Sequence, residues 1–129
     1  MHKKMFFTGC MLAASSVALG AIGAHLLEKQ LSEKMLKAFE TAARYQMYHA
    51  IAIILCGVLY QQSQIKQIIT SYKLFFFGTL LFSGSLYLLS LLSIGGSNNF
   101  GFIGAITPLG GICLILGWIF LALGLSKMK

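Results

Sequence analysis

Glu40, Arg44, Tyr45, Tyr48 and His49 fall within ten residues of one another and run directly into an apolar stretch. Glu40 and Arg44 stand four apart with the acid first, the order favoured for a helical ion pair. Tyr45 and His49 are also four apart, so with Tyr48 they form a polar and aromatic stripe on a helix. His25 sits near the end of an earlier apolar segment. At the edge of a bilayer each such group must be paired, aimed into a cavity or held among headgroups.

Three chemistries fit these residue types. In the preferred reading, His25, Glu40, Arg44, Tyr45 and His49 form a hydrogen-bonded network that anchors one helix to the rest, with rings at headgroup level. In the second, a shallow cavity at the Arg44 and His49 cluster binds a lipid headgroup or a small anion, with Arg44 as electrostatic anchor. In the third, His25 and His49 converge between helices and ligate a haem or metal, which would make a redox component. Catalysis has little to build on. The sequence offers no nucleophile with a partnered base, no paired intramembrane acids and no phosphate-cradling loop. The three acids, Glu28, Glu33 and Glu40, cluster in one connection, whereas a proton-coupled transporter usually places an acid within a span. Neither enzyme activity nor a cofactor or metal is expected.

Composition identifies the elements that must position these residues. The 129 residues are 57% hydrophobic and only 10% charged, with mean hydropathy +0.81, which is an integral membrane protein rather than a soluble domain. No formal charge occurs over the 23 residues Met5 to Leu27 or the 53 residues Leu74 to Ser126. A spanning helix needs about 20, so the second run must hold two, divided at the glycine and asparagine cluster Ile94 to Gly101. The fold class is therefore all-α: a polytopic four-transmembrane-helix bundle in a single domain. Its spans fall at about 5–27, 45–60, 73–94 and 101–126. The second span, at roughly 24 Å, is short. It must borrow from an amphipathic interfacial helix at about 32–44, where Leu31, Met35, Phe39 and Ala42 recur at helical spacing behind an N-cap at Ser32. That segment bends or continues into the span.

Lys3, Lys4, Lys66, Lys73, Lys127 and Lys129 flank the spans on one side; Lys29, Lys34, Lys37 and Arg44 lie on the other with the three acids. The positive-inside rule then places both termini in the cytoplasm, for a multi-pass protein of the bacterial inner membrane. The net charge of +7 suits anionic membrane lipids as partners. Nucleic acid is not indicated, because the basic residues are dispersed. Met1 to Leu27 reads as a retained span, since its apolar run is longer than a signal-peptide core. Cys10, Cys56 and Cys113 fall in three different spans without a CxxC pair and read as small packing residues.

Small residues mark the helix contacts. Gly9, Ala13, Ser16, Gly20 and Gly23 align on one face of span one, Ser83, Gly84 and Ser85 interrupt span three, and Gly104, Pro108, Gly111, Gly117 and Gly124 recur in span four. Pro108 should bend its helix. Tight packing within one chain is the first reading of these faces and a homo-oligomer seam the second.

Four strings carry a resemblance. They are Gly20-Ala21-Ile22-Gly23-Ala24-His25, the run Phe39 to Ala50 (FETAARYQMYHA), Leu81 to Tyr87 (LFSGSLY), and Gly104 to Gly111 (GAITPLGG). In this order and spacing they resemble the bacterial membrane family of domain of unknown function 423, to which the membrane stabilising protein A and small transmembrane protein 256 families are similar. The resemblance covers almost the whole chain. It implies a four-helix inner-membrane protein with a role in membrane integrity and no established catalytic reaction.

Overall fold

A computed structural model describes residues 1–96 and 101–129. The expected turn at Ile94 to Gly101 therefore lies partly outside the described residues. Helix α1 spans His2–Ile22 and is prolonged by a π-helical turn, Gly23–Leu27; α2 spans Glu33–Ser63, α3 Lys66–Ile94 and α4 Gly101–Leu125. All four are long and apolar enough to cross a membrane, and no strand occurs among the described residues.

Of the two courses expected for span two the continuous one is found, and span three starts earlier than expected. The interfacial helix at 32–44 and the span at 45–60 are one unbroken helix of 31 residues, starting where Ser32 Oγ accepts from Met35 N at 3.3 Å. At about 46 Å this helix is longer than a hydrocarbon core of about 30 Å, which resolves the shortage of length inferred for span two. Its charged first turns carry the exposed ion pair Lys37 Nζ to Glu33 Oε1, 3.0 Å. Helix α3 likewise begins at Lys66, so Lys73 is a helix residue. Only Gln64 and Ile65 separate α2 from α3, and Gln64 takes φ 52° to close that turn.

Helix α1 packs on α2, α2 on α3 and α3 on α4, while no comparable seam joins α1 to α4. The α3–α4 seam alternates large against small. A Cβ on Gly117 would meet the Phe75 ring at 2.7 Å, one on Gly124 would meet Ile68 at 3.1 Å, and one on Gly78 would meet Leu114 at 2.7 Å. Gly110 is tighter still, against the backbone nitrogen and, at 2.8 Å, the Cα of Phe82. The buried residues Gly110, Leu114, Gly117, Leu121 and Gly124 step by four and three, the pattern of antiparallel helices crossing at a shallow angle. Helix α4 runs through Pro108 as a single element.

The α1–α2 seam combines the same device with polar stitches. Gly9 faces Ile54 and Ala50, Gly23 faces Phe39, and Gly57 faces Phe6. Ser16 Oγ donates to Ala43 O at 2.7 Å. Across α2 and α3, Ser83 Oγ donates to Ala42 O at 2.8 Å and Ser90 Oγ to Met35 O at 3.0 Å. The seven-residue spacing of these serines keeps both on the α2 face.

Candidate functional site

Helix α2 is the central element, and its inward positions are Phe39, Ala42, Ala43, Gln46, His49, Ala50 and Ile53. That periodicity turns Glu40 and Arg44 outward. Both are exposed, and neither is in an ion pair among the described residues. Such an exposed surface faces lipid or headgroups where the helix crosses the bilayer. The anchoring network expected of His25, Glu40, Arg44, Tyr45 and His49 is therefore not assembled as drawn. His25 is exposed on the π-helical turn, next to Gly23, which packs on Phe39. His49 lies ten residues beyond Phe39, about 15 Å along the axis. The two histidines do not converge.

His49 is instead held by its own surroundings. Its Nδ1 lies 2.7 Å from Tyr45 O, and Trp118 Nε1 donates to its Nε2 at 3.2 Å. A neutral imidazole with its proton on Nδ1 satisfies both bonds at once. Phe75 packs beside it, with ring centroids 5.5 Å apart, and meets Trp118 edge to face at 5.0 Å. Both ring nitrogens are thus engaged, which leaves His49 no lone pair for a haem or metal in this arrangement.

Above that pair a cavity of about 570 Å³ opens sideways between α2, α3 and α4, lined by Tyr45, Tyr48, His49, Phe82, Gly111, Leu114, Ile115 and Trp118. Tyr45 stacks on Phe82, with centroids 4.8 Å apart and planes 13° from parallel. The groove exists because Gly111 has no side chain. A Cβ there would meet nothing nearer than Phe82 at 3.8 Å, whereas the adjacent Gly110 is jammed against α3. The size is that of a small-molecule pocket, and the walls are apolar with few polar groups. Arg44 sits one helical turn from Tyr48, at the level where a long basic side chain reaches toward the interface.

The Gln46 side of α2 holds a smaller cavity of about 210 Å³, lined by Leu12, Gln46, Thr79, Leu80, Ser83, Gly84 and Tyr87. Gln46 Nε2 donates to Leu12 O at 2.9 Å and to Ser15 Oγ at 2.7 Å, while its Oε1 accepts from Tyr87 OH at 2.8 Å. This amide, rather than the Glu40 and Arg44 pair, ties α1, α2 and α3 together. Among the other residues singled out for packing, Ser85 Oγ donates to Phe82 O and also bonds Thr107. Gly20 reaches only Ala43 at 4.0 Å, and nothing lies within 4 Å of a Cβ on Gly84 or Gly104. Pro108 is exposed. Cys56 is buried beside Ser71, Cys10 is exposed and Cys113 is intermediate. Sequence reasoning missed Gln46, Tyr87 and Trp118. The available signal was a neutral polar group inside an apolar span, since each such group needs a partner in the bilayer.

A family model described as a protein of unknown function, DUF423, matches residues 19–111. The chain belongs to the DUF423 family. Similar proteins of that kind include a UPF0382 membrane protein of Staphylococcus saprophyticus, 40% identical over 98% of this chain and 99% of its own. YwdK of Bacillus subtilis, also a UPF0382 membrane protein, is 39% identical over 97% of this chain and 98% of its own. One from Staphylococcus aureus is 38% identical over 97% of each. No solved structure matches the chain. These DUF423 relatives are membrane proteins without an enzyme name, and the groove falls inside the matched region except for Leu114, Ile115 and Trp118.

Proposed function

We propose that this DUF423 protein is a non-enzymatic component of the bacterial inner membrane, with both termini in the cytoplasm, that supports envelope integrity by holding a membrane lipid. The observation that carries this reading is the lateral groove floored by His49 and Trp118. It is partly open, apolar, and bordered by Tyr45 and Tyr48. An acyl chain fills the groove, and Arg44, exposed one turn above Tyr48, offers a positive charge to the phosphate of the same lipid. His49 contributes shape rather than charge, because Tyr45 and Trp118 already occupy its ring nitrogens.

The test is native mass spectrometry of the full chain extracted gently from its own membrane, alongside Gly111→Leu. A Cβ at Gly111 meets nothing nearer than the Phe82 ring at 3.8 Å and the groove lies beyond it, so the variant should fold with its side chain in the groove. One lipid more per chain in the unaltered protein than in Gly111→Leu supports the reading. Equal adducts in both, or none in either, overturns it.

A further inference from the structure

The other end of the molecule carries a second opening, unrelated to the groove. Successive helices alternate in direction, so α1 and α3 run parallel and begin on the same face of the membrane. They share no extensive seam. Between their starts lies a cleft of about 430 Å³ lined by Met1, Lys4, Thr8, Tyr72, Lys73, Phe76 and Phe77. One contact bridges it: Thr8 Oγ1 and Tyr72 OH lie 3.4 Å apart.

We propose that this cleft is a site for an anionic phospholipid, with Lys4 and Lys73 holding the headgroup phosphate and Tyr72, Phe76 and Phe77 receiving the start of an acyl chain. Three observations carry it. First, two ammonium groups from different helices border one cavity, both side chains exposed and neither in an ion pair among the described residues. Second, helical side chains tilt toward their own N-terminus. In two parallel helices that sends both lysines toward the same interface, although Lys73 is rooted two turns inside α3. Third, Glu28, Glu33 and Glu40 all lie at the opposite end of the bundle, so no acidic side chain stands beside the pair. A basic pocket between spanning helices, above aromatic walls, matches a phosphate joined to an apolar tail better than a free anion. The site does not rest on the groove reading, since none of its residues borders that groove.

The experiment is a lipid titration of the purified full chain in micelles, read by native mass spectrometry, with phosphatidylglycerol and phosphatidylcholine as probes. Lys4→Gln/Lys73→Gln is compared with Lys34→Gln/Lys37→Gln, which removes the same charge at the opposite end. Phosphatidylglycerol affinity should fall about fivefold for each cleft lysine removed, remain unchanged in the distal variant and return in Lys4→Arg/Lys73→Arg. Gly111→Leu should leave this binding intact, which separates failure here from failure of the groove. Equal losses in the two glutamine variants would reduce the effect to net charge and overturn the site. So would equal affinity for phosphatidylcholine, while displacement by millimolar inorganic phosphate would show that the cleft takes the free ion.

Discussion

The two flanks of α2 use polar residues in opposite ways. Toward α1 and α3, Gln46 spends its donor capacity on Leu12 and Ser15 and its acceptor on Tyr87. Toward α4, His49 and Trp118 satisfy each other and leave open space above them. Inside a bilayer no water rescues an unpaired group. The Gln46 flank, with a cavity of about 210 Å³, is therefore a device for joining helices, and the His49 flank, whose polar floor is equally satisfied, has the larger room, about 570 Å³, for something else. The difference comes down to side-chain volume. Gly110 brings α4 against the Phe82 backbone, and Gly111, one residue on, leaves the gap.

The sharpest way to break this contrast is at the two glycines. Gly110→Leu should destabilise the protein by about 3 kcal/mol or more, because backbone cannot yield to the new side chain, and most of the protein should be lost from the folded peak in size-exclusion chromatography. Gly111→Leu should change the melting temperature little. If both variants melt alike, the assignment of one glycine to a seam and its neighbour to a groove is wrong.

Next in size is Gln46→Leu. It strands the Tyr87 hydroxyl and frees Leu12 O and Ser15, at a cost of about 1–2 kcal/mol for intramembrane hydrogen bonds. A thermal melt in detergent checks this, and Tyr87→Phe combined with Gln46→Leu should recover part of the loss, since removing both partners is gentler than removing one. On the His49 flank Trp118→Phe removes a single donor and keeps most of the ring packing, so its cost should be about 0.6 kcal/mol. A larger loss than that of Gln46→Leu would mean that the His49 flank, not the Gln46 flank, holds the helices together.

The four helices were legible because charge is excluded from apolar runs as long as a bilayer is thick, a signal that survives ignorance of every contact. The continuous α2 was only half legible. The periodicity of Leu31, Met35, Phe39 and Ala42 was plain, but whether that segment bends before Tyr45 depends on tertiary packing. The candidate site was the least legible part. Glu40 and Arg44 attracted attention as the charged pair, yet their spacing places them on the outer face as readily as the inner one, and periodicity with Ala42, Ala43 and Gln46 decides for outer. Gln46, Trp118 and Gly110 look ordinary in sequence, and their roles arise only from what lies opposite: Tyr87, His49 and Phe82.

The smallest expected effect concerns Glu40 and Arg44, and it separates the two possible uses of a charged residue on this surface. Because no ion pair joins them, a double-mutant cycle of Glu40→Ala and Arg44→Ala should return a coupling energy below about 0.5 kcal/mol, as for independent sites. Each single change should likewise leave stability nearly unaltered. Arg44→Ala should nonetheless reduce retention of an anionic lipid in the groove, while Glu40→Ala should not. A coupling well above that value, with lipid retention unchanged, would return Arg44 to the anchoring network that the sequence first suggested and leave the groove without its charge.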